Sequence, residues 1–303
     1  GVTRASVWKC IDALRRQGYT VEATTNRGYR VTAVPDLLTR EQVLAAVTES
    51  AWQQIICIEE TDSTNLYANR LILEGAGDGT VVIADRQTKG MGRMGRSFLS
   101  LPGVGIYLSM ILEPHCTAKE LGLLTSYAGL AVCRATERVC GITPQIKWPN
   151  DIIIEGKKVC GILTRLVSDA ETATITHAIV GIGINVRQQS FPEELSQKAI
   201  SLRQATGRDF LRAELAGEII NELNRMLRVE KWLENPPENA LAQLRALSCT
   251  VGKRVTVIGP NGSREGVAMN IDKSGGLLVY FDDVAEVVAS GEVSVRGILG
   301  YTP

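Results

Sequence analysis

Apolar positions along the 303-residue chain switch several times between a helical and a strand period. Val7, Ile11 and Leu14 recur at i, i+4 and i+7, so the first helix is expected to run to about residue 17 with one apolar face. Thr3 suits its N-cap and Gly18 its C-terminal stop. Two strand-like runs follow, 19–24 and 29–32, joined by Thr25-Asn26-Arg27-Gly28. A capping-box pattern at Thr39–Gln42 opens a helix over 39–50. Residues 55–59 read as a strand, Thr61–Asn65 as a polar loop, and the next stretch as a helix to about 74. Strands are expected over 80–85 and 104–112. Leu121, Leu124, Ala128, Val132, Ala135 and Val139 keep helical spacing and predict a long core helix over 118–140. Residues 146–149 read as a strand end, with Pro149 holding Trp148 extended. Glu155-Gly156-Lys157-Lys158 reads as a hairpin turn, and 159–167 and 174–186 as paired antiparallel strands. A helix over 209–233 stops at Asn235-Pro236-Pro237, and a shorter one ends near 247. Beyond it, short strands at 255–258, 264–271, 277–281 and 286–288, separated by Gly- and Pro-bearing turns, predict a small β-barrel. The expected division is therefore an N-terminal helix–hairpin segment (1–34), a central α/β region (35–247) and a C-terminal barrel (248–303).

Composition changes this picture mainly by exclusion. Lys plus Arg and Asp plus Glu both number 33, so the formal net charge is zero. That excludes a protein whose whole surface is a nucleic-acid glove, and 45% apolar content argues against wholesale disorder. The neutrality is a sum of unlike parts. Residues 1–33 carry Arg4, Lys9, Arg15, Arg16, Arg27 and Arg30 against Asp12 and Glu22, and residues 85–96 carry Arg86, Lys89, Arg93 and Arg96 against Asp85. No apolar run reaches the roughly 18 residues of a membrane span. The seven cysteines are odd in number, scattered and mostly within apolar stretches, which fits reduced thiols of a cytoplasmic protein. With two histidines, His115 and His177, and no CxxC pair, a zinc site or a His-based triad is not expected.

A basic helix followed by a small basic hairpin has the layout of a recognition helix and a wing, with Arg4, Lys9 and Arg27 placed to meet DNA. Charge alone serves a solvated amphipathic helix and hairpin equally well. The segment also reads as lacking the helices that buttress a recognition helix, which predicts weak DNA affinity for the chain as it stands. Gly90-x-Gly92-x-x-Gly95 matches a dinucleotide fingerprint literally, yet a strand rather than a helix follows it, so that reading fails. The alternatives are a flexible basic surface loop or a glycine loop that folds around an anion, with Lys89, Arg93 and Arg96 as its cations. Lys147, before Pro149 and beside Asn150-Asp151, is a candidate point cation. Glycines at 161, 181 and 183 lie inside strands, where a ligand ring or another strand could approach the backbone.

Taken in order, the basic helix–hairpin start, Asp62-Ser63-Thr64-Asn65, the Gln87–Arg96 loop, Lys147-Trp148-Pro149-Asn150-Asp151, Lys158-Val159-Cys160-Gly161-Ile162-Leu163 and Gly181-Ile182-Gly183-Ile184-Asn185 resemble the bacterial biotin protein ligases of the bifunctional kind, which also repress the biotin operon. The resemblance covers nearly the whole chain. It implies an α+β multidomain fold: a truncated winged helix, a central α/β catalytic domain on a mixed sheet, and an SH3-like C-terminal barrel. It implies that biotin and MgATP give biotinyl-5′-adenylate, which acylates a lysine of a biotin carboxyl carrier protein. Lys147 and Arg93 would then be catalytic. Ser63, Thr64, Asn65, Gln87, Gly90, Met91, Gly92, Arg93, Lys147, Gly161 and Gly183 would surround biotin. Arg93, Arg96, Trp148, Asn150 and Asn185 would face ATP, with Mg²⁺ carried by the nucleotide rather than by protein ligands. Biotinyl-adenylate would serve as corepressor, operator DNA as a partner, and the central sheet as a homodimer interface.

Two departures from the family pattern stand out. Met91 replaces the usual first arginine of the glycine loop, and Arg165 replaces a usual acidic residue. Losing one charge-assisted contact costs about 1.5–3 kcal/mol, so the expectation is an active enzyme that holds adenylate less tightly. The alternatives are a biotin-sensing DNA-binding regulator with weakened or lost ligase activity, and a lipoate-type ligase.

Overall fold

The computed structural model describes residues 2–24, 27–48, 54–114, 120–169, 171, 174–260, 262–290, 293–297 and 302. They fall into two compact units, Gly1–Leu37 and Leu38–Pro303. In the first unit, helix α1 (Arg4–Arg16) starts where the Thr3 hydroxyl accepts from the Ser6 amide at 3.2 Å. It stops before Gly18, whose φ of +92° suits a residue with no Cβ. Strands β1 (Thr20–Thr24) and β2 (Gly28–Ala33) pair antiparallel; Thr25 and Asn26 of the expected turn lie outside the described residues. Ile11 and Val21 are the buried apolar residues of this unit. Arg15 donates to the Val21 carbonyl at 2.7 Å and ties helix to hairpin, whereas Arg4, Lys9 and Arg27 are exposed.

The second unit begins with α2 (Arg40–Ala46), capped by the Thr39 hydroxyl. It ends earlier than the expected residue 50, because Val47 is already extended, with ψ at 115°. The elements that build the central sheet and one of its faces are β3 (Gln54–Thr61), α3 (Thr64–Leu73), β4 (Thr80–Gln87), β5 (Gly105–Leu112), α4 (Leu124–Cys140), β6 (Gln145–Lys147), β7 (Asp151–Ile154), β8 (Lys157–Ser168) and β9 (Ile175–Asn185). The seven strands lie in the order β3-β4-β5-β9-β8-β7-β6. Only β3 and β4 are parallel, so the sheet is mixed, as expected. Every residue of β5 is buried, the mark of a strand covered on both faces. On one face α3 packs its Ala68 against Val82, Ile111 and Ile179. The other face carries the main core, including Leu124, Ala128 and Val132 of α4. The expected start of α4 at residue 118 lies outside the described residues; a short 3₁₀ turn, Glu120–Leu123, leads into it.

Two expectations are corrected here. Glu155 and Gly156, with φ of +50° and +74°, alone make the turn between β7 and β8. Such a two-residue turn matches the strand twist, and it leaves Lys157 and Lys158 in β8 rather than in the turn. The helix expected over 209–233 is also shorter. After α5 (Glu193–Ser196) and α6 (Leu202–Thr206), α7 spans Arg212–Leu223 and passes into a π-helical turn at Asn224–Val229. Asp209 is held outside α7 by Arg187 and Arg203, at 3.4 and 3.3 Å. After α8 (Ala240–Leu247) come β10 (Arg254–Gly259), β11 (Gly262–Ile271), β12 (Leu277–Phe281), β13 (Val284–Val288) and β14 (Ser294–Gly297). They form a five-stranded antiparallel sheet in the order β13-β12-β11-β10-β14, the counterpart of the expected barrel. Strand β14 went unread because only four residues form it, with Arg296 and Gly297 breaking its apolar pattern. The Trp148 indole donates to the Gly275 carbonyl at 2.9 Å and joins this sheet to the central one.

Candidate active site

At the end of β3 the chain turns through Asp62 and Ser63 into α3, so Thr64 and Asn65 occupy the first helical turn rather than the expected loop. Asp62 sets this corner. Its carboxylate accepts twice from Arg70, at 2.9 and 3.0 Å, and from the Ser63 amide at 2.7 Å. The Arg70 hydrogen bond, aided by the Ser63 amide, holds the Asp62 carboxyl well below the usual range. Gln87, at the end of β4, accepts from the Thr64 amide and hydroxyl at 2.8 and 3.1 Å and donates to Ser100 at 2.9 Å. Ser109 on β5 lies 2.7 Å from both the Thr64 hydroxyl and the Asn65 carbonyl oxygen. Asn65 in turn donates to the Leu163 carbonyl at 3.1 Å. Thr64, Asn65 and Gln87 therefore belong to one network, buried where α3 meets the sheet, with Ser63 beside it at the helix N-cap. Ser109 was missed because a serine in an apolar strand carries no signal of its own.

The strand glycines admit protein groups as well as leaving room for a ligand. A Cβ at Gly181 would lie 2.3 Å from the Asn65 amide oxygen, and one at Gly183 would lie 2.7 Å from the Phe98 ring. Gly90 faces the Phe98 carbonyl and the Ser100 hydroxyl, at 2.4 and 2.6 Å from a built Cβ. The glycine loop thus closes on its own return segment. We expect Gly181→Ala to push Asn65 off its Leu163 and Ser109 bonds, at a cost of about 1–3 kcal/mol, as for overpacked cores. Thermal denaturation and a biotin titration on the same variant check this; an unchanged midpoint with unchanged affinity would count against it.

Ser63, Thr64, Asn65, Gln87, Met91, Gly92, Gly161 and Gly183 line one pocket. Phe98 and Lys158, neither of them an expected site residue, line it too. An open groove of about 1080 Å³ adjoins it, with Arg93, Arg96 and Arg165 along it. Met91, Gly92, Asn150, Ile162 and Leu163 border both spaces and form the mouth between them.

Four expected residues line neither space. Gly90 is buried beneath Phe98 and Ser100. Trp148 is buried, with its indole engaged by Gly275, so its ring is not presented to a nucleotide. Asn185 is turned inward, donating to the Ile200 carbonyl at 3.3 Å and accepting from Gln188 at 3.2 Å. Lys147 is buried beside Asp151, with Nζ 4.0 Å from Oδ2. Asp151 also takes Lys158, whose Nζ lies 2.6 Å from Oδ1, so one carboxylate faces two ammonium groups. Burial pushes the Lys147 ammonium down to about 8 despite the opposing pull of Asp151. Arg93 is already engaged: it donates to the Asn150 amide oxygen at 3.1 Å and to the backbone carbonyls of Ser290 and Val293. Burial lowers its pKa. The thiols of Cys57 and Cys140 are raised by burial to about 11 and 12, and full burial raises that of Cys160 as well. None of these three supplies a thiolate near neutral pH. Among the described residues, no group of three or more His, Cys, Asp and Glu is placed to hold a metal ion.

A mixed sheet carrying a polar pocket beside an arginine-lined groove is the architecture found in the ligase-type catalytic domains that this chain matches. Residues 56–185 match the biotin/lipoate A/B protein ligase family, residues 1–30 an HTH domain, and residues 250–296 the biotin protein ligase C-terminal domain. The bifunctional ligase/repressor BirA of Bacillus subtilis is 37% identical over 97% of this chain and 90% of its own length. A biotin–[acetyl-CoA-carboxylase] ligase of Mycobacterium tuberculosis is 33% identical over 84% of this chain and 92% of its own. The solved structure of an Aquifex aeolicus biotin protein ligase in complex with biotin and ATP superposes with a TM-score of 0.71 at 34% identity, covering 81% of this chain and 99% of that one. The chain belongs to the family of bifunctional biotin protein ligase/repressors.

Proposed function

We propose that the chain activates biotin with ATP and passes the biotinyl group to one lysine of a biotin carboxyl carrier protein. In the first step the biotin carboxylate attacks the α-phosphorus and pyrophosphate leaves. In the second the acceptor amine attacks the acyl carbon and AMP leaves. The observation that carries this reading is the set Met91, Gly92, Asn150, Ile162 and Leu163, which is shared by a mostly polar, glycine-walled pocket and a groove lined by Arg93, Arg96 and Arg165. A ligand with an uncharged head fits the pocket, and its activated end emerges where a triphosphate would lie along Arg93 and Arg96. Ser63, Thr64, Asn65 and Gln87 are the groups suited to the ureido ring. The resemblance gives Lys147 the task of offsetting charge at the reacting phosphate, which from its buried place beside Asp151 it would do at a distance from the groove. Such a site works by positioning and electrostatics and needs no enzyme nucleophile. Mg²⁺ is read as arriving with ATP.

The exposed Arg4, Lys9 and Arg27 on the helix–hairpin unit are read as DNA contacts, with biotinyl-adenylate as corepressor and an edge of the central sheet as the homodimer interface. The functional division is read as 1–34, 35–247 and 248–303, and the setting as cytoplasmic. No helix among the described residues is long and apolar enough to cross a membrane. ATP–pyrophosphate exchange, run with biotin and separately with lipoate, tests the reading. Biotin-dependent exchange is expected, and its absence would favour the regulator that senses biotin without ligating it.

Arg165 lines the same groove as Met91, so a cation is present on the opposite strand of the site that lacks its loop arginine. Met91→Arg is expected to slow adenylate release by roughly 10-fold or more, the worth of one charge-assisted contact. Stopped-flow release of the adenylate from the two proteins measures it. Equal release and equal turnover would show that position 91 does not set adenylate retention.

A further inference from the structure

We propose that the end of the groove away from the pocket holds the outer two phosphates of the nucleotide, and the pyrophosphate they become, between Arg96 of the glycine loop and Arg165 of β8. The inference rests on the ligation reading above and adds a seat for the leaving group to it. Arg96, Thr125, Thr164 and Arg165 line the groove but not the pocket. With Arg93 the groove has three arginines, and no Asp or Glu is among its described lining residues. Like charges gathered in one cleft raise the local concentration of a polyanion.

The three arginines are not equivalent. Arg93 is engaged inside the protein, donating to the Asn150 amide oxygen and to the Ser290 and Val293 carbonyls. Arg96 and Arg165 are exposed, and among the described residues neither has a hydrogen bond or an ion pair. Arg165 stands on a strand, where it pairs with Ile179 of β9. On the other side β7 leaves β8 after Asp151↔Gly161, so residues 162–165 continue beyond it, and these four line the groove. Arg165 is therefore a fixed cation facing a space that the loop bearing Arg96 borders from the other side.

Beside Arg165 are the hydroxyls of Thr125 on α4 and Thr164 on β8, 2.9 Å apart. Two bonded hydroxyls use one proton between them and keep the other for a ligand oxygen. Strand rise puts Arg165 about 7–10 Å past Leu163 and Ile162, which border the mouth. That offset places it at the outer phosphates rather than at the one attacked. As the biotin oxygen bonds to the α-phosphorus, the bond from that phosphorus to the bridging oxygen breaks, and its electron pair leaves with pyrophosphate. The charge that grows on the leaving group then lies between Arg96 and Arg165, where preorganised cations stabilise it.

The test follows ATP–pyrophosphate exchange by the full chain while MgATP and pyrophosphate are varied in turn. Arg165→Gln is expected to raise both KM values about 10-fold, the lower end for a charge-assisted contact because the groove is open to water. Arg165→Lys should recover part of this loss. Thr164→Val removes one neutral donor and should raise the pyrophosphate KM about 3- to 5-fold. Biotin affinity of Arg165→Gln, by isothermal titration, should stay within about 2-fold of wild type, which also reports an intact fold. Transfer from preformed biotinyl-adenylate to the carrier protein involves no pyrophosphate, so it separates this role from carrier docking. The proposal is overturned if Arg165→Gln slows that transfer as much as it slows exchange, which would assign Arg165 to the carrier. Absence of biotin-dependent exchange in wild type would overturn the ligation reading, and this proposal with it. Exchange in wild type with an unaltered pyrophosphate KM in Arg165→Gln would overturn this proposal alone.

Discussion

Lys147→Met is expected to lower biotin-dependent ATP–pyrophosphate exchange by about 10²–10³-fold, the range for losing one preorganised charge, with the buried ammonium acting through Asp151, 4.0 Å away, rather than from the wall of the pocket or groove. The magnitude follows from the burial of Lys147. With its side chain 6% exposed, water cannot take over the work of the lost ammonium. Because Lys147 lines no part of the closed pocket, the loss should appear in the rate of adenylation more than in biotin affinity. The ammonium titrates near pH 8, lowered from 10.5 chiefly by burial and only partly restored by Asp151. For free enzyme and substrate, kcat/KM should therefore fall as pH rises through about 8. Lys147→Arg, which keeps its charge across that range, should show lower activity with no such fall. A wild-type profile flat to pH 10 would exclude a catalytic ammonium at this position. The sign for stability is opposite to that for activity. Between about pH 8 and 10.5 the unfolded chain binds more protons at this lysine than the folded one, so its contribution to stability grows with pH across that window.

Glu222→Ala should cost about 3 kcal/mol of stability, the lower end of the range for breaking a buried ion pair. Glu222 lies on α7 with its side chain 3% exposed, and it accepts from Arg225 at 2.7 Å, Arg138 at 3.1 Å and Arg134 at 3.3 Å. Arg134 comes from α4, so the carboxylate joins the two helices that cover one face of the sheet. The lower end applies because Arg225 and Arg138 are themselves 36% and 61% exposed and can partly rehydrate. Burial alone would raise the Glu222 pKa, but Arg225 and Arg134 outweigh it and the value is lowered. Stability from this group is thus fully present above the ordinary glutamate value of about 4.3 and is lost as pH falls below it. Urea midpoints at pH 7 and near pH 4 should differ less in the variant than in wild type. Because Glu222 lines neither pocket nor groove, biotin affinity should change little. A variant as stable as wild type at pH 7 would show that the arginines find equal partners elsewhere.

Legibility in the sequence tracked how local each cause is. The caps at Thr3 and Thr39, the stop at Gly18 and the β8–β9 pair rest on neighbours a few residues away, and all appear in the structure. Ser63, Thr64, Asn65 and Gln87 were expected at a site only through the family resemblance; all four line the pocket, but the helical placement of Thr64 and Asn65 was not foreseen. Asp62, held by Arg70 eight positions on, forms the start of α3, and a single-residue pattern does not encode that pairing. That Lys158 lines the pocket while Lys147 lies in the interior beside Asp151 depends on the register of β6, β7 and β8. The chain reverses twice between them, and a shift of one residue would exchange pocket wall for core. Trp148 and Asn185 were expected to face ATP through the resemblance; each is instead hydrogen-bonded to a partner distant in sequence, Gly275 or Ile200.

The fit of Asn65 against Gly181, and of Phe98 against Gly183, has a consequence for how this site can change over generations. The two members of each pair sit on different elements and share one volume, so neither position can drift alone. A larger residue at 181 is tolerated only after residue 65 shortens, and at 183 only after the ring at 98 shrinks or departs. Diversification of the pocket should therefore proceed by paired replacements, with the single-step intermediates as the least fit members of each path.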